Sequence, residues 1–276
     1  IDQIKLLGAT PVLVDIGEDG LIDPKEVEKA ITPRTKAIVP VHLEGKVCQM
    51  ERLFNIVKDN HLFLIEDSAQ AIGARYKGGM AGTWGIMGCY SMFPAKVLGS
   101  YGNAGMVVTN DDELAEKLRG LRCNFGAGKN QDLDAVDWGM QLEPDNIQAA
   151  VLNVKLKYLP ERLERRKFVA EYYDRMFKDL PIKLPLKQVG RIYQDYVIRV
   201  DVSEKPKLLD FLKEKGIGVL GHNLIPNHKY PKLGLNFDLP KTEEYIAEQI
   251  RIPLNPDLSD EEITYIADTI NEFYQK

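Results

Sequence analysis

An α/β fold built on a mostly parallel sheet is predicted by two features of the sequence. Through the first half, apolar runs of strand length alternate with amphipathic stretches of helical length, the order of strands joined by crossover helices. The run Leu62-Phe63-Leu64-Ile65 shows no polar alternation and ends abruptly in Glu66 and Asp67, which reads as a central strand buried on both faces.

Taken in order, the chain begins at Ile1 in what reads as the middle of a helix, feeding a strand from Pro11 to Ile16, and this start leads us to expect a fragment or processed chain. Asp23-Pro24-Lys25-Glu26 supplies a cap, a first-turn proline and a reciprocal acid for a helix that ends before Thr32-Pro33. A strand from Ala37 to Leu43 follows, then a helix from Met50 to Asp59 with Met50, Leu53, Ile56 and Val57 on one face. After the central strand, Cys89 to Phe93 has the aromatic, mixed character of another buried strand, which Pro94 stops by removing a donor.

A strand from Met106 to Thr109 then leads into a helix capped by Asn110, with Leu114, Leu118 and Leu121 on one side. Cys123 to Asp137 has little periodicity and reads as a mobile loop. Ile147, Val151, Val154 and Tyr158 mark a helix, and Pro160 is expected to begin a second one whose charged run from Glu161 to Lys167 is a solvated face. Tyr196, Ile198, Val200 and Val202 alternate as a strand with one covered face and one wet face. A helix from Lys205 to Lys215 stops at Gly216, and the last one opens on a capping box, Ser259 and Glu262, with a stripe of Ile263, Ile266, Ala267, Ile270 and Phe273. The expected division is a mostly parallel large domain over residues 1–141 and linking helices with a smaller α+β domain over residues 142–276.

A chain of 276 residues can bury a sizeable core. Its apolar runs at 12–16, 37–43 and 62–65 fall far short of a membrane span. Thirty-six basic against 41 acidic residues give no footprint for nucleic acid, so a small-molecule partner is expected. Cys48, Cys89 and Cys123 are odd in number and widely spaced, which suggests reduced thiols and a cytoplasmic location. No zinc motif is present among the histidines and cysteines, and no metal is expected.

Three residues stand out as a candidate site. Lys96 follows a strand end, in a partly apolar turn where an ammonium is costly and a neutral amine is favoured for Schiff-base chemistry. Gly99, Gly102 and Gly105 after it would let backbone approach a bound group. Taken alone, a lysine in such a loop reads rather as solvated, and the stretch upstream is what turns the reading. Asp67 and Gln70 lie at the carboxyl end of the central strand, where open α/β sheets bind ligands, although Asp67 by local pattern also fits a turn or cap.

Together these segments carry a resemblance. Glu-Asp-Ser-Ala-Gln at 66–70, Gly-x-x-Gly-Cys-Tyr-Ser-Met-Phe-Pro-Ala-Lys at 85–96 and Gly-Asn-Ala-Gly-Met-Val-Val-Thr-Asn-Asp at 102–111 resemble the pyridoxal-phosphate-dependent sugar aminotransferases of the DegT/StrS type, and the likeness runs over essentially the whole chain. It implies PLP fold type I, with Lys96 as the catalytic residue holding the cofactor as a Schiff base. It also implies that Asp67 pairs with the pyridine nitrogen, Gln70 contacts the phenolic oxygen and Ser91 binds the phosphate. A pyridinium kept protonated by a carboxylate is what lets the ring take up a carbanion's electrons.

The implied activity is ping-pong transamination of a nucleotide-linked keto sugar with glutamate or glutamine as donor, in amino-sugar, surface polysaccharide or antibiotic biosynthesis. A same-family sugar dehydratase is one alternative, against which Lys96 argues because those members lose the lysine. A non-catalytic regulator or partner-binding relic is the other. Gly221-His-Asn-Leu-Ile-Pro-Asn-His228 matches a segment whose histidines approach the sugar, so His222 and His228 are substrate candidates, though structural histidines fit as well. Gln141 stands where the family commonly has asparagine reaching a neighbouring subunit's phosphate, and Glu143, in place of arginine, would repel that group. The family also carries an earlier segment with a phosphate turn and a stacking aromatic, which this sequence lacks. A homodimer with a shared site is expected from the resemblance.

Overall fold

A computed structural model describes residues 1–123, 139–221 and 224–275. In chain order the first elements are α1 (Asp2–Leu6), α2 (Pro24–Ala30), β1 (Ala37–Ile38), α3 (Met50–Asp59), β2 (Phe63–Asp67), β3 (Arg75–Tyr76), β4 (Gly79–Met80), β5 (Met87–Ser91), β6 (Gly105–Val108) and α4 (Asp112–Arg122). They are followed by α5 (Asn146–Met176), β7 (Tyr196–Arg199), α6 (Lys205–Glu214), α7 (Pro240–Glu248), β8 (Gln249–Ile252) and α8 (Asp260–Gln275). Two compact units result, one of Lys36–Arg165 with Gln188–Gln194, the other of Ile1–Thr35, Arg166–Lys187 and Asp195–Lys276. Gln141, where the sequence placed a boundary, lies inside the first.

That first unit is organised on a sheet of order β1-β2-β5-β6, with β1, β2 and β5 parallel and β6 antiparallel to β5. Side chains alternate across it, so Leu64, Glu66 and Tyr90 share a buried face. Helix α3 packs against β2, with Met50, Leu53, Ile56 and Val57 buried as their spacing predicts. The opposite face is more open: Ile65, Asp67, Met87, Cys89 and Ser91 are half-buried, and Phe63 is 57% exposed. The expectation of a central strand buried on both faces is therefore corrected. An unbroken apolar run reports hydrophobicity on both sides, not cover on both.

Other expectations shift for local reasons. The strand foreseen from Ala37 to Leu43 pairs regularly only at Ala37–Ile38 and rejoins as a single bridge from Val41 to Asp67, because Pro40 between them has no N–H to give. Helix α4 is capped by Asp111, whose Oδ1 accepts from Leu114 N at 2.8 Å, rather than by Asn110. Pro160 does not start a new helix, since α5 runs through it. The proline withdraws only the N–H that would bond the Leu156 carbonyl, while Leu152, Leu159 and Leu163 on one side of α5 pack with Met92 and Leu98. The helix marked by Ile147, Val151, Val154 and Tyr158 forms, although Ile147, Val154 and Tyr158 are exposed.

In the second unit, antiparallel β7 and β8 pair from Tyr196↔Ile252 to Arg199↔Gln249. Tyr196, Val197 and Ile198 are all buried, so β7 is covered on both faces rather than alternating wet and dry. Tyr173, Phe177 and Tyr196 form an aromatic core with centroids 5.2 to 6.4 Å apart. The strand expected from Pro11 to Ile16 is absent apart from an Ile16–Ile22 bridge. The chain there instead presents Asp15 to α7, whose own cap residue Leu239 offers no side-chain acceptor. Asp15 accepts from Lys241 N, Thr242 N and Thr242 Oγ1 at 2.6 to 2.9 Å. Burial alone would raise this carboxyl, but those bonds and one from Ile16 N outweigh it and hold it below its ordinary value.

The capping box of α8 forms as read, Ser259 N donating to Glu262 Oε2 at 2.8 Å and Glu262 N to Ser259 Oγ at 3.2 Å. No helix among the described residues is long and apolar enough to cross a membrane. The segment 124–137, expected to be a mobile loop, lies outside the described residues.

Candidate active site

Register fixes the site's floor. Asp67 pairs with Cys89, and Ser91 two residues on pairs with Gly105, so Asp67, Cys89 and Ser91 project from the same, more open face at the carboxyl ends of two parallel strands. Their proximity has an electrostatic consequence: burial pushes the Cys89 thiol up, and the Asp67 charge pushes it further. Asp67 Oδ1 accepts from Ala69 N at 3.0 Å, and Oδ2 has no protein donor among the described residues. One oxygen is thus spent on holding the side chain, and the other is available to an N–H of a ligand.

Gln70 is oriented by an unusual backbone. Glu44 sits in the left-handed region at φ 59°, rare for a non-glycine residue, and its N–H donates to Gln70 Oε1 at 2.7 Å. With the oxygen engaged, the amide's NH2 is the end left to serve a ligand, as contact with an anionic oxygen requires.

The loop after β5 carries Lys96. Lys96 N donates to Phe93 O at 2.9 Å, and the base is closed by Met92 N to Ala104 O and Ser100 N to Met92 O, each 2.8 Å. Ser100 Oγ also donates to Met92 O at 2.8 Å, and Lys155 Nζ reaches Gly99 O at 2.6 Å. Lys96 itself is half-buried, and its Nζ has no hydrogen-bond or ion-pair partner among the described residues. The glycines serve a different purpose from the one expected. A Cβ on Gly99 would strike the Phe93 and Pro94 carbonyls, and one on Gly102 would strike Gln148, so the close approaches are to the protein's own chain.

Beneath Asp67 lies a pair for which the sequence reading assigned no role. Glu66 and His42 are both fully buried. Glu66 accepts from Gly82 N, Trp84 N and Gly85 N at 2.7 Å each, and from His42 Nε2 at 3.0 Å. Cys48 N donates to His42 Nδ1 at 3.2 Å, which makes Nε2 the protonated nitrogen. Burial would raise the Glu66 carboxyl, but the bonds from His42, Gly85 and Gly82 outweigh it and hold the group below its usual range. His42 N also donates to Asp67 O at 2.9 Å, so the pair anchors the strand end from which Asp67 projects. A carboxylate in phase with Leu64 on an apolar strand was the available signal; the histidine gave none.

Gln141 is exposed and bridges Cys123, and no described contact joins it to Asp67, Gln70, Ser91 or Lys96. Glu143 faces Arg122 at 3.6 Å and accepts from Cys123 Sγ at 3.2 Å, so its charge is met locally. His228 belongs to the other unit, where its Nε2 lies 3.0 Å from Glu243 Oε1 with the ring almost wholly buried, a structural pairing. His222 lies outside the described residues.

The profile of the DegT/DnrJ/EryC1/StrS aminotransferase family matches residues 1–271. A protein of Geobacillus stearothermophilus named "Pleiotropic regulatory protein" is 39% identical, over 99% of this chain and 75% of its own. The "dTDP-3-amino-3,4,6-trideoxy-alpha-D-glucose transaminase" of Streptomyces venezuelae is 34% identical, over 99% of this chain and 73% of its own. Among solved structures, a DegT DnrJ EryC1 StrS aminotransferase from Brucella abortus superposes with a TM-score of 0.92 at 32% identity, covering all of this chain and 76% of that one.

Proposed function

The chain belongs to the DegT/DnrJ/EryC1/StrS aminotransferase family, and from that premise we propose that it moves an amino group from glutamate or glutamine to a keto sugar carried on a nucleotide. The family's cofactor is pyridoxal phosphate. The observation that carries the reading is the half-engaged carboxylate of Asp67 on the same sheet face as Ser91, whose own strand leads into the Lys96 loop.

These residues fit the cofactor. Asp67 Oδ2 would hold the proton on the ring nitrogen, Gln70 Nε2 would donate to the phenolic oxygen, and Ser91 Oγ would bind the phosphate. Lys96 would hold the cofactor covalently, and when freed its Nζ would carry the proton between donor carbon and cofactor carbon. The bound ring supplies an electron sink that no side chain provides. Gln141 is the residue proposed to reach a neighbouring subunit's phosphate, and His222 and His228 are kept as sugar contacts, His228 only if Glu243 releases it.

The test is a screen of purified protein with nucleotide-linked keto sugars and glutamate or glutamine. Formation of an amino sugar is expected; cofactor binding with dehydration and no amino transfer would point to the dehydratase instead. A regulatory reading is supported by the name of the Geobacillus relative, and failure to bind cofactor at all would favour it. We further propose a homodimer with a shared site. Mixing Lys96→Ala with a Gln141 variant is expected to restore activity that neither has alone, whereas sedimentation as a monomer at micromolar concentration by protein that still transaminates would remove the shared site.

A further inference from the structure

Ninety-seven residues beyond Val97 in sequence, one side chain grips the backbone on both sides of the lysine. Gln194 Nε2 donates to Ala95 O at 3.1 Å, and Gln194 Oε1 accepts from Val97 N at 3.1 Å. The two peptide groups flank Lys96, so a single planar amide spans the residue whose amine does the chemistry. Gln194 is itself fixed by its neighbours. It ends the segment Gln188–Gln194, which is tied to the sheet unit by Gln188, bonding Val47 N at 2.7 Å and Val47 O at 2.8 Å. Arg75 N donates to Gly190 O at 2.9 Å and Ile192 N to Gly45 O at 3.1 Å. Tyr193, just before Gln194, is held in the left-handed region at φ 53°, a conformation that surrounding contacts must enforce.

We propose that Gln194 is a positioning residue for Lys96, its amide fixing the two peptide groups that set the direction in which the lysine side chain leaves the chain. The proposal rests on Lys96 being the site of cofactor attachment. A loop fastened only at its base could pivot about Lys96; a second fastening at its middle removes that freedom before the amine is used, which is the entropy cost a preorganised site avoids.

The consequence separates two forms of the cofactor. Pyridoxal phosphate gains a covalent bond to Lys96, whereas pyridoxamine phosphate cannot, and is held by the other residues alone. Gln194→Met keeps the bulk and removes both hydrogen bonds. Titrated by absorbance and fluorescence on the purified protein, this variant is expected to bind pyridoxal phosphate about tenfold more weakly, from the loss of two modest hydrogen bonds. Pyridoxamine phosphate should bind within about twofold of the parent, and Gln194→Glu, which keeps the acceptor for Val97 N but sets a carboxylate oxygen against the Ala95 carbonyl, should weaken pyridoxal phosphate at least as much. Should the methionine variant not fold, the glutamate variant carries the same comparison. Equal weakening of both forms would reduce Gln194 to a structural residue, and no weakening of either would remove its role. If Lys96→Ala keeps the visible band of the bound aldehyde form, the assignment of Lys96 fails first, and the proposal with it.

Discussion

Lys96→Ala is expected to lower transamination at least about ten-thousandfold while leaving the protein folded. Proton transfer by a positioned side chain contributes roughly 10² to 10⁴ in rate, and the covalent hold on the cofactor is lost in the same substitution. The prediction of an intact fold has its own basis. Lys96 Nζ has no partner among the described residues, while the loop's fastenings at Ser100, Lys155 and Gln194 involve other side chains. Loss of turnover with a competent sugar at an unchanged urea midpoint would establish it; an activity loss of tenfold or less would transfer the role to another amine.

Glu66→Ala is expected to be the most damaging change to stability, costing about 3 to 5 kcal/mol as the loss of one partner in a buried charged network does. Three backbone N–H groups and the His42 ring would be left without their acceptor in a region closed to water. The same carboxyl makes the wild type acid-sensitive. Its folded value lies below the ordinary 4.5, so its contribution is fully present above that pH and is lost as pH falls through the lowered folded value. Asp15, also lowered, acts in the same direction. Urea midpoints should therefore drop steeply in acid for the wild type and less steeply for Glu66→Gln, which does not titrate. Parallel pH profiles for the two would show that Glu66 is not a source of the acid loss.

What could be read before the structure was local. Asp23 caps α2 through Lys25 N, the α3 face is buried as spaced, and Ser259 with Glu262 closes the start of α8, because each depends on residues within one turn of one another. Asp67, Ser91 and Lys96 were legible because each lies in a short contiguous motif that resembles the family's. Gln194 and Glu44 were not, since their partners lie 97 and 26 residues away and glutamine or glutamate in a polar stretch carries no mark of a distant clamp. Strand cover was misjudged in both directions. Phe63 and Val197 are apolar alike, yet one is exposed and the other buried, and only the packed neighbours decide which.

The proposed bond between Lys96 and pyridoxal phosphate underlies these expectations. It is tested most directly by loading the protein with cofactor, fixing the bond with borohydride and locating the added mass in a proteolytic digest. One modified peptide is expected, carrying the cofactor on Lys96. Modification of a different lysine, or a digest with no modified lysine from protein that nevertheless transaminates, would contradict it.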